Sequence, residues 1–338
     1  MVTTPASSRA IRARIASVAA YVPPRVLTNA DLEKMVDTSD DWIMKRTGIR
    51  ERHIVDAGVA TSDLAKEASM LAIERAGLAP ADIDLILVAT TTPDTLFPST
   101  ACVLQAKIGA TRAWGYDLGA ACSGFTYALT TAAHLVAAGG SRNALVVGAD
   151  VMSSIIDYTD RTTCVLFGDG AGAVVVGRNH NGEDAGILDF EHYVDGSGGP
   201  ALCMPAGGSR MPASRETVDG RLHFVKQDGQ AVFRFAVRNM EEVCRRILDR
   251  NKLSASLIDL FVPHQASSRI ILASADKLGL PREKILINID RFGNTTAGTI
   301  PLALNDAVAS GRLKPGNLVL LAAVGAGFTV GAVLLRWG

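Results

Sequence analysis

The 338-residue sequence has no Cys-x-x-Cys pair, few aromatic residues (5%) and no excess of either charge, with 34 Lys and Arg against 34 Asp and Glu. A net charge of zero excludes a binder that works through a global basic field. No nucleic-acid partner is expected, and any charged partner must meet a local patch. The five cysteines, at 102, 122, 164, 203 and 244, are odd in number and lack metal-ligand spacing. They read as reduced thiols of a cytoplasmic protein, with no metal expected. The N-terminal stretch holds Arg9, Arg12 and Arg14, but no apolar run follows before Pro23-Pro24, so no secretory signal is read. One uncharged stretch, Pro315 to Leu335, approaches the ~20 residues a membrane helix needs. Gly325, Gly327 and Gly331 divide it, which predicts strand, tight turn, strand and no membrane span.

What the chain does have is 48% apolar residues, enough to fill one large or two medium domains, and an internal repeat. Leu78-Ala-Pro-Ala-Asp-Ile-Asp-Leu85 matches Leu253-Ser-Ala-Ser-Leu-Ile-Asp-Leu260, an offset of 175. Lys107-Ile-Gly109 matches Lys277-Leu-Gly279 at 170, and the apolar run Ala144 to Gly148 matches Leu318 to Ala322 at 174. Phe167-Gly-Asp-Gly-Ala-Gly-Ala173 resembles Val324-Gly-Ala-Gly-Phe, each a glycine turn before a buried strand. Four matches in one order mark a duplication with a boundary near Arg178 to Asn181. Amphipathic periodicity predicts helices over 62–76 and 231–251, and their alternation with short apolar strands predicts mostly parallel sheet covered on both faces. The Gly- and Pro-rich segment Asp195 to Asp228 reads as an insertion loop.

Cys122 lies in Gly119-Ala-Ala-Cys-Ser-Gly124, where a strand turns into a helix bearing Phe125, Leu129, Ala132 and Val136. The small neighbours permit a tight turn like a nucleophile elbow, and the positive end of the helix dipole is expected to favour the thiolate. The plainer reading of a free cysteine is a small core residue. An offset of 172 carries Cys122 to Asn294, in Gly293-Asn-Thr-Thr-Ala-Gly298, read as the equivalent turn of the other half. His264 ends the strand equivalent to residues 85–89. The three side chains would meet at the ends of central strands, where parallel sheets bind ligands. His134, within a helix, reads as structural.

Asp40-Asp-Trp-Ile-Met-Lys-Arg-Thr-Gly-Ile-Arg-Glu-Arg-His53, Ala120-Ala-Cys-Ser-Gly-Phe125, Phe167-Gly-Asp-Gly-Ala-Gly-Ala173, Pro263-His-Gln-Ala266 and Gly293-Asn-Thr-Thr296 together closely resemble the β-ketoacyl-acyl carrier protein synthase III family, over nearly the whole chain. The resemblance implies an α/β protein with the thiolase-like layered α-β-α-β-α fold, built from two duplicated halves with mixed, mostly parallel sheets. Residues 1–178 would carry the nucleophilic cysteine, and residues 179–338 the histidine and asparagine. It implies a decarboxylative Claisen condensation of an acyl-CoA primer with malonyl-acyl carrier protein, which starts type II fatty acid synthesis without a cofactor. Cys122 would be the nucleophile, His264 and Asn294 the donors to the enolate, and the N–H groups of Cys122 and Ala326 the oxyanion hole. Trp42, Arg46, Arg161 and Ser267 match positions that hold CoA, Phe97 a position that reaches across a homodimer to the acyl pocket, and Arg269 and Lys277 positions that meet the acidic carrier protein. Residues 234–284 hold ten Lys and Arg against six Asp and Glu, a basic patch for that partner.

The sequence departs from the family pattern in three places. Ser267 replaces a usual Asn, Ala326 and Val330 replace members of a Gly-Gly-Gly and Trp pattern, and Asp276 replaces a basic residue beside Lys277. Among rival readings, a papain-like hydrolase also orders Cys, His and Asn this way but has no duplicated α/β chain. A dinucleotide site at Gly168 to Ala173 would need a helix where Val174, Val175 and Val176 continue as strand. A starter-unit synthase or acyltransferase of a secondary, polyketide-type pathway shares the fold. A noncatalytic scaffold subunit would have no need of Cys122, His264 and Asn294.

Overall fold

The computed structural model describes residues 13–179 and 185–338. Arg9 and Arg12 of the N-terminal reading, and residues 180 and 181 of the boundary reading, lie outside them. Two sheets carry the fold. The first contains β1 (Ala13–Tyr21), β2 (Leu85–Ala89), β3 (Trp114–Leu118), β4 (Asn143–Asp150) and β5 (Gly170–Arg178) in the order β1-β5-β4-β2-β3. The second contains β6 (Gly186–Val194), β7 (Leu260–Pro263), β8 (Leu318–Gly325) and β9 (Thr329–Arg336) in the order β6-β9-β8-β7. The second order repeats the first four strands of the first sheet. The place of β3 is kept only by a single parallel bridge between Phe261 and Ile285.

Seven helices complete the frame: α1 (Asp40–Thr47), α2 (Thr61–Arg75), α3 (Thr100–Ile108), α4 (Gly124–Ala137), α5 (Gly229–Arg250), α6 (Ser268–Leu278) and α7 (Thr299–Ala309). Successive strand side chains point to opposite faces, and this alternation sorts the core into layers. Leu85, Leu87 and Ala89 of β2 face a central cluster, while Ile86 and Val88 face α2 and α3. In β8, Val319, Leu321 and Ala323 meet the same central cluster, while Leu318, Leu320 and Ala322 meet α5 and α6. The central layer is α4 and α7, whose Phe125, Leu129, Ala132, Ile300, Ala303 and Leu304 pack against strands of both sheets. The result is the expected α-β-α-β-α stack, and continuous apolar strands follow from covering both faces.

Helix expectations hold to within two residues, and Pro315–Leu335 forms the antiparallel pair β8–β9. No helix among the described residues is long and apolar enough to cross a membrane. The sheets are mixed, with more antiparallel pairing than helix-strand alternation suggested: β5 pairs antiparallel with β1 and β4, and β9 with β8 and β6. The reason is that neither connection carries a crossover α-helix: β8 returns to β9 through the tight turn 326–328, and β4 to β5 through the segment 151–169. The 195–228 insertion is folded. It carries a 3-10 turn, a two-stranded ribbon (Leu202–Cys203 with Lys226–Gln227) and a short helix, and an Arg221–Asp157 ion pair anchors it to the first half.

Candidate active site

Cys122 sits in a 3-10 turn, Ala121–Ser123, that leads directly into α4. Its structural counterpart is the 3-10 turn Thr296–Gly298 that leads into α7. Ala121 and Thr296 share a left-handed conformation, with φ 47° and 49°, so the correspondence runs at 175 residues. This corrects the offset of 172: the counterpart of Cys122 is Ala297, and Asn294 precedes its turn by two residues. Residue type suggested the pairing, whereas backbone geometry decides it.

Asn294 reaches the site by another route. Its N–H donates to Leu166 O (2.9 Å) and its carbonyl accepts from Gly168 N (3.1 Å), a parallel bridge to the first half. That close approach explains the glycine run, because a Cβ on Gly168 would stand 2.4 Å from Phe292 O. The Thr296 N–H donates to Asn294 Oδ1 (2.8 Å), which holds the carboxamide carbonyl and leaves its NH2 as the outward donor. His264 follows β7 and is only 1% exposed. Its Nδ1 lies 2.7 Å from Thr299 Oγ1, on the first residue of α7, and the same hydroxyl lies 3.0 Å from Thr296 O. The turns at 121–123 and 296–298 pack on each other, which brings Cys122, His264 and Asn294 into one buried neighbourhood.

Electrostatics there contradict one expectation. Burial, reinforced by the nearby Asp150 carboxylate, pushes the Cys122 thiol up to about 12. Desolvation outweighs the helix dipole, so the resting group is the thiol and not the thiolate. Burial likewise pushes His264 down to about 3, so the imidazole is neutral throughout the working pH range. A neutral ring donates from only one nitrogen. When Thr299 donates to Nδ1, the proton sits on Nε2.

The expected oxyanion hole would use the N–H groups of Cys122 and Ala326, and Gly325 directly precedes Ala326. A Cβ at Gly325 would stand 2.8 Å from Cys122 N and 3.0 Å from Ala120 O. Gly325→Ala is therefore expected to slow acylation at least tenfold, measured as the rate of covalent adduct formation, because the methyl group blocks one N–H of the hole.

The protein-family model described as 3-oxoacyl-[acyl-carrier-protein (ACP)] synthase III matches residues 116–196, and that of its C-terminal part matches residues 248–337. A β-ketoacyl-[acyl-carrier-protein] synthase III of Solibacter usitatus is 59% identical over 327 residues, covering 96% of this chain and 99% of that one. The chain belongs to the β-ketoacyl-acyl carrier protein synthase III family. The crystal structure of the Aquifex aeolicus VF5 3-oxoacyl-[acyl-carrier-protein] synthase III superposes with a TM-score of 0.88 at 44% identity, over 96% of this chain and all of that one. The priming β-ketosynthase of the R1128 polyketide pathway gives the same TM-score at 35% identity, over 98% of both chains. Membership makes the chain a condensing acyltransferase of thiolase fold.

Other residues matched to this synthase family fall in three places. Trp42 and Arg46 lie on α1, with the Arg46 guanidinium 4.7 Å and that of Arg161 5.6 Å from the indole centroid. The Arg161 guanidinium also donates to Asp37 O (2.8 Å), which holds it beside the indole. Ser267 caps α6, accepting from Arg269 N and donating to Arg46 O (3.1 Å), so its hydroxyl is committed within the protein. Phe97 is 85% exposed beside an equally exposed Leu96, so it is no part of this chain's core. Arg269 and Lys277 are exposed at opposite ends of α6. Sequence reasoning missed Gly325, Thr296 and Thr299. A consistent 175-residue offset would have pointed to the turn that begins at Thr296 and to Thr299, the first residue of the helix after it.

Proposed function

We propose that this chain performs the first condensation of type II fatty acid synthesis, with Cys122, His264 and Asn294 as its catalytic groups. The Cys122 sulfur attacks the thioester carbonyl of an acyl-CoA while its proton passes to the departing CoA sulfur, leaving an acyl-enzyme and free CoA. The N–H groups of Cys122 and Ala326 hold the oxyanion. Malonyl-acyl carrier protein then loses CO2, and the electrons of the broken C–C bond become an enolate whose oxygen accepts from His264 Nε2 and Asn294 Nδ2. The enolate carbon attacks the acyl thioester, releasing the β-ketoacyl product and the Cys122 sulfur, which regains its proton. The observation that carries this reading is the packing of the Cys122 turn against the turn that fixes Asn294 and, through Thr299, His264. No cofactor takes part in the scheme.

Identity of 59% to a β-ketoacyl synthase III against 35% to a polyketide priming synthase favours primary over secondary metabolism. The catalytic groups retained at Cys122, His264 and Asn294 argue against a scaffold subunit. Incubation with a panel of acyl-CoAs, followed by intact mass, tests the reading: an adduct must form, and malonyl-acyl carrier protein must consume it.

Trp42, Arg46 and Arg161 are proposed to hold CoA, with Ser267 contributing through the backbone of the α6 start. Trp42→Ala is expected to raise KM for acyl-CoA about tenfold with kcat nearly unchanged in steady-state assays, since it removes binding shared by ground and transition states. The carrier protein is proposed to land on Arg234, Arg238, Arg269 and Lys277, which are exposed and carry no ion pair among the described residues. Arg245, Arg246 and Arg250, in the same basic window, are paired with acidic neighbours and contribute less. A homodimer is proposed through the β3 edge, where Trp114 and Tyr116 are exposed, with Leu96 and Phe97 crossing to the partner. The five free cysteines suit the reducing cytoplasm, and the chain is proposed to divide at 178/179, where β5 ends.

A further inference from the structure

We infer that Asp150 is the positioning residue of the decarboxylation site, holding the Thr296 turn and through it the Asn294 carboxamide. The inference rests on the role proposed for Asn294. Asp150 ends β4, is fully buried and has no Lys or Arg partner among the described residues. Its Oδ1 accepts from Thr90 Oγ1 (3.0 Å), Thr91 N (2.7 Å) and Oγ1 (2.9 Å), and Thr92 N (3.1 Å) and Oγ1 (2.9 Å). Its Oδ2 accepts from Thr296 Oγ1 and Ala297 N (3.3 Å). Every neighbour is a donor, which suits a group with acceptors only, and these bonds work against the burial that pushes the Asp150 pKa up.

The duplication shows why a carboxylate stands there. Strands β4 and β8 correspond at the same 175-residue offset as the two turns, so Asp150 is the counterpart of Gly325, and Ala297 that of Cys122. At Cys122 the glycine leaves the N–H open to a substrate oxyanion. At Ala297 the equivalent N–H is already met by a carboxylate oxygen of the protein itself. Asp150 thus plugs the second copy of the oxyanion hole and turns it into an anchor. Its hold falls on Thr296, a β-branched residue in the left-handed conformation that such residues rarely adopt. From that conformation the Thr296 N–H fixes Asn294 Oδ1, and the Thr296 carbonyl lies 3.0 Å from the Thr299 oxygen that faces His264 Nδ1. The charge also contributes to keeping the Cys122 thiol protonated, so its removal would ease, not hinder, acylation.

The test measures the two half-reactions separately in the full-length enzyme: adduct formation with acetyl-CoA by intact mass, and CO2 release from malonyl-acyl carrier protein. Thr296→Ala keeps the backbone, since Ala121 adopts the same φ in the other half. It is expected to cut decarboxylation at least tenfold with acylation within about threefold of the parent, and Thr296→Ser to restore decarboxylation to within about threefold. Asp150→Asn, which sets an NH2 against the Ala297 N–H, should match Thr296→Ala and shift thiol alkylation to lower pH. Unchanged decarboxylation in Thr296→Ala, failure of Thr296→Ser to restore it, or equal loss of both half-reactions in Thr296→Ala would each overturn the inference while leaving the Asn294 reading intact. Should Asp150→Asn fail to fold, the Thr296 pair decides. Unchanged decarboxylation in Asn294→Ala would instead overturn the reading beneath the inference.

Discussion

Cys122→Ala is expected to abolish the covalent mass shift on incubation with acyl-CoA and to reduce overall condensation to background. Alanine fills nearly the same buried volume, so the fold and the neighbouring turn survive, while the only sulfur at the site is gone. The other buried thiols, Cys164 and Cys244, lie in separate packing clusters and cannot substitute. An adduct of unchanged yield would remove Cys122 from the mechanism. In the parent protein the raised thiol pKa has a visible sign: about one molecule in 10⁴ is thiolate at pH 8. Alkylation of Cys122 by iodoacetamide should therefore climb about tenfold per pH unit from pH 7 to 10 and show no plateau near 9, the ordinary thiol value. A plateau at neutral pH would mean that the helix dipole prevails over burial after all.

Asn294→Ala and His264→Ala are expected to leave acylation within a few-fold of the parent and to reduce malonyl decarboxylation on the order of 10²–10³-fold, the usual effect of losing one donor to a developing oxyanion. The division follows from geometry. In the proposed scheme the acylation oxyanion is met by backbone N–H groups, which side-chain truncation does not touch, whereas the enolate depends on the imidazole and carboxamide. Since burial holds His264 neutral, with its pKa near 3, decarboxylation should not show a limb near pH 6.5 attributable to this residue. Stopped-flow CO2 release from malonyl-acyl carrier protein across pH 5–9 measures both points. Equal loss of acylation in His264→Ala would make the imidazole the base that takes the thiol proton, and would end the proposed division of labour.

Much of this was legible in the chain. Continuous apolar runs located β2, β4 and β8, because strands covered on both faces are apolar throughout, and helical periodicity located α2 and α5, which stripe their apolar residues. Glycines divided 315–335 into a hairpin for the same steric reason in sequence and structure. Cys122, the proposed nucleophile, stood out because a polarisable thiol was set among small residues at a strand-to-helix junction. Less legible was the protonation state of Cys122, since the helix dipole is a local feature whereas desolvation depends on residues from both halves. The pairing of Cys122 with Asn294 by offset failed for a related reason. Asn294 is placed by a bridge to Leu166 and Gly168, more than 120 residues away in sequence. Nor could composition show that Ser267 spends its hydroxyl on a helix cap, or that Arg161 rests on Trp42.

By itself the sequence determined the layered fold class, showed the internal repeat, and pointed to Cys122, His264 and Asn294 as the groups proposed for catalysis, because each leaves a local trace in residue type or spacing. Only the tertiary structure decided which turn is the counterpart of which, that the thiol is protonated and the imidazole neutral, and that Asp150 and Gly325 stand at matching places with opposite tasks. Those properties arise where segments far apart in the chain close on one another and exclude water, and no single segment carries them.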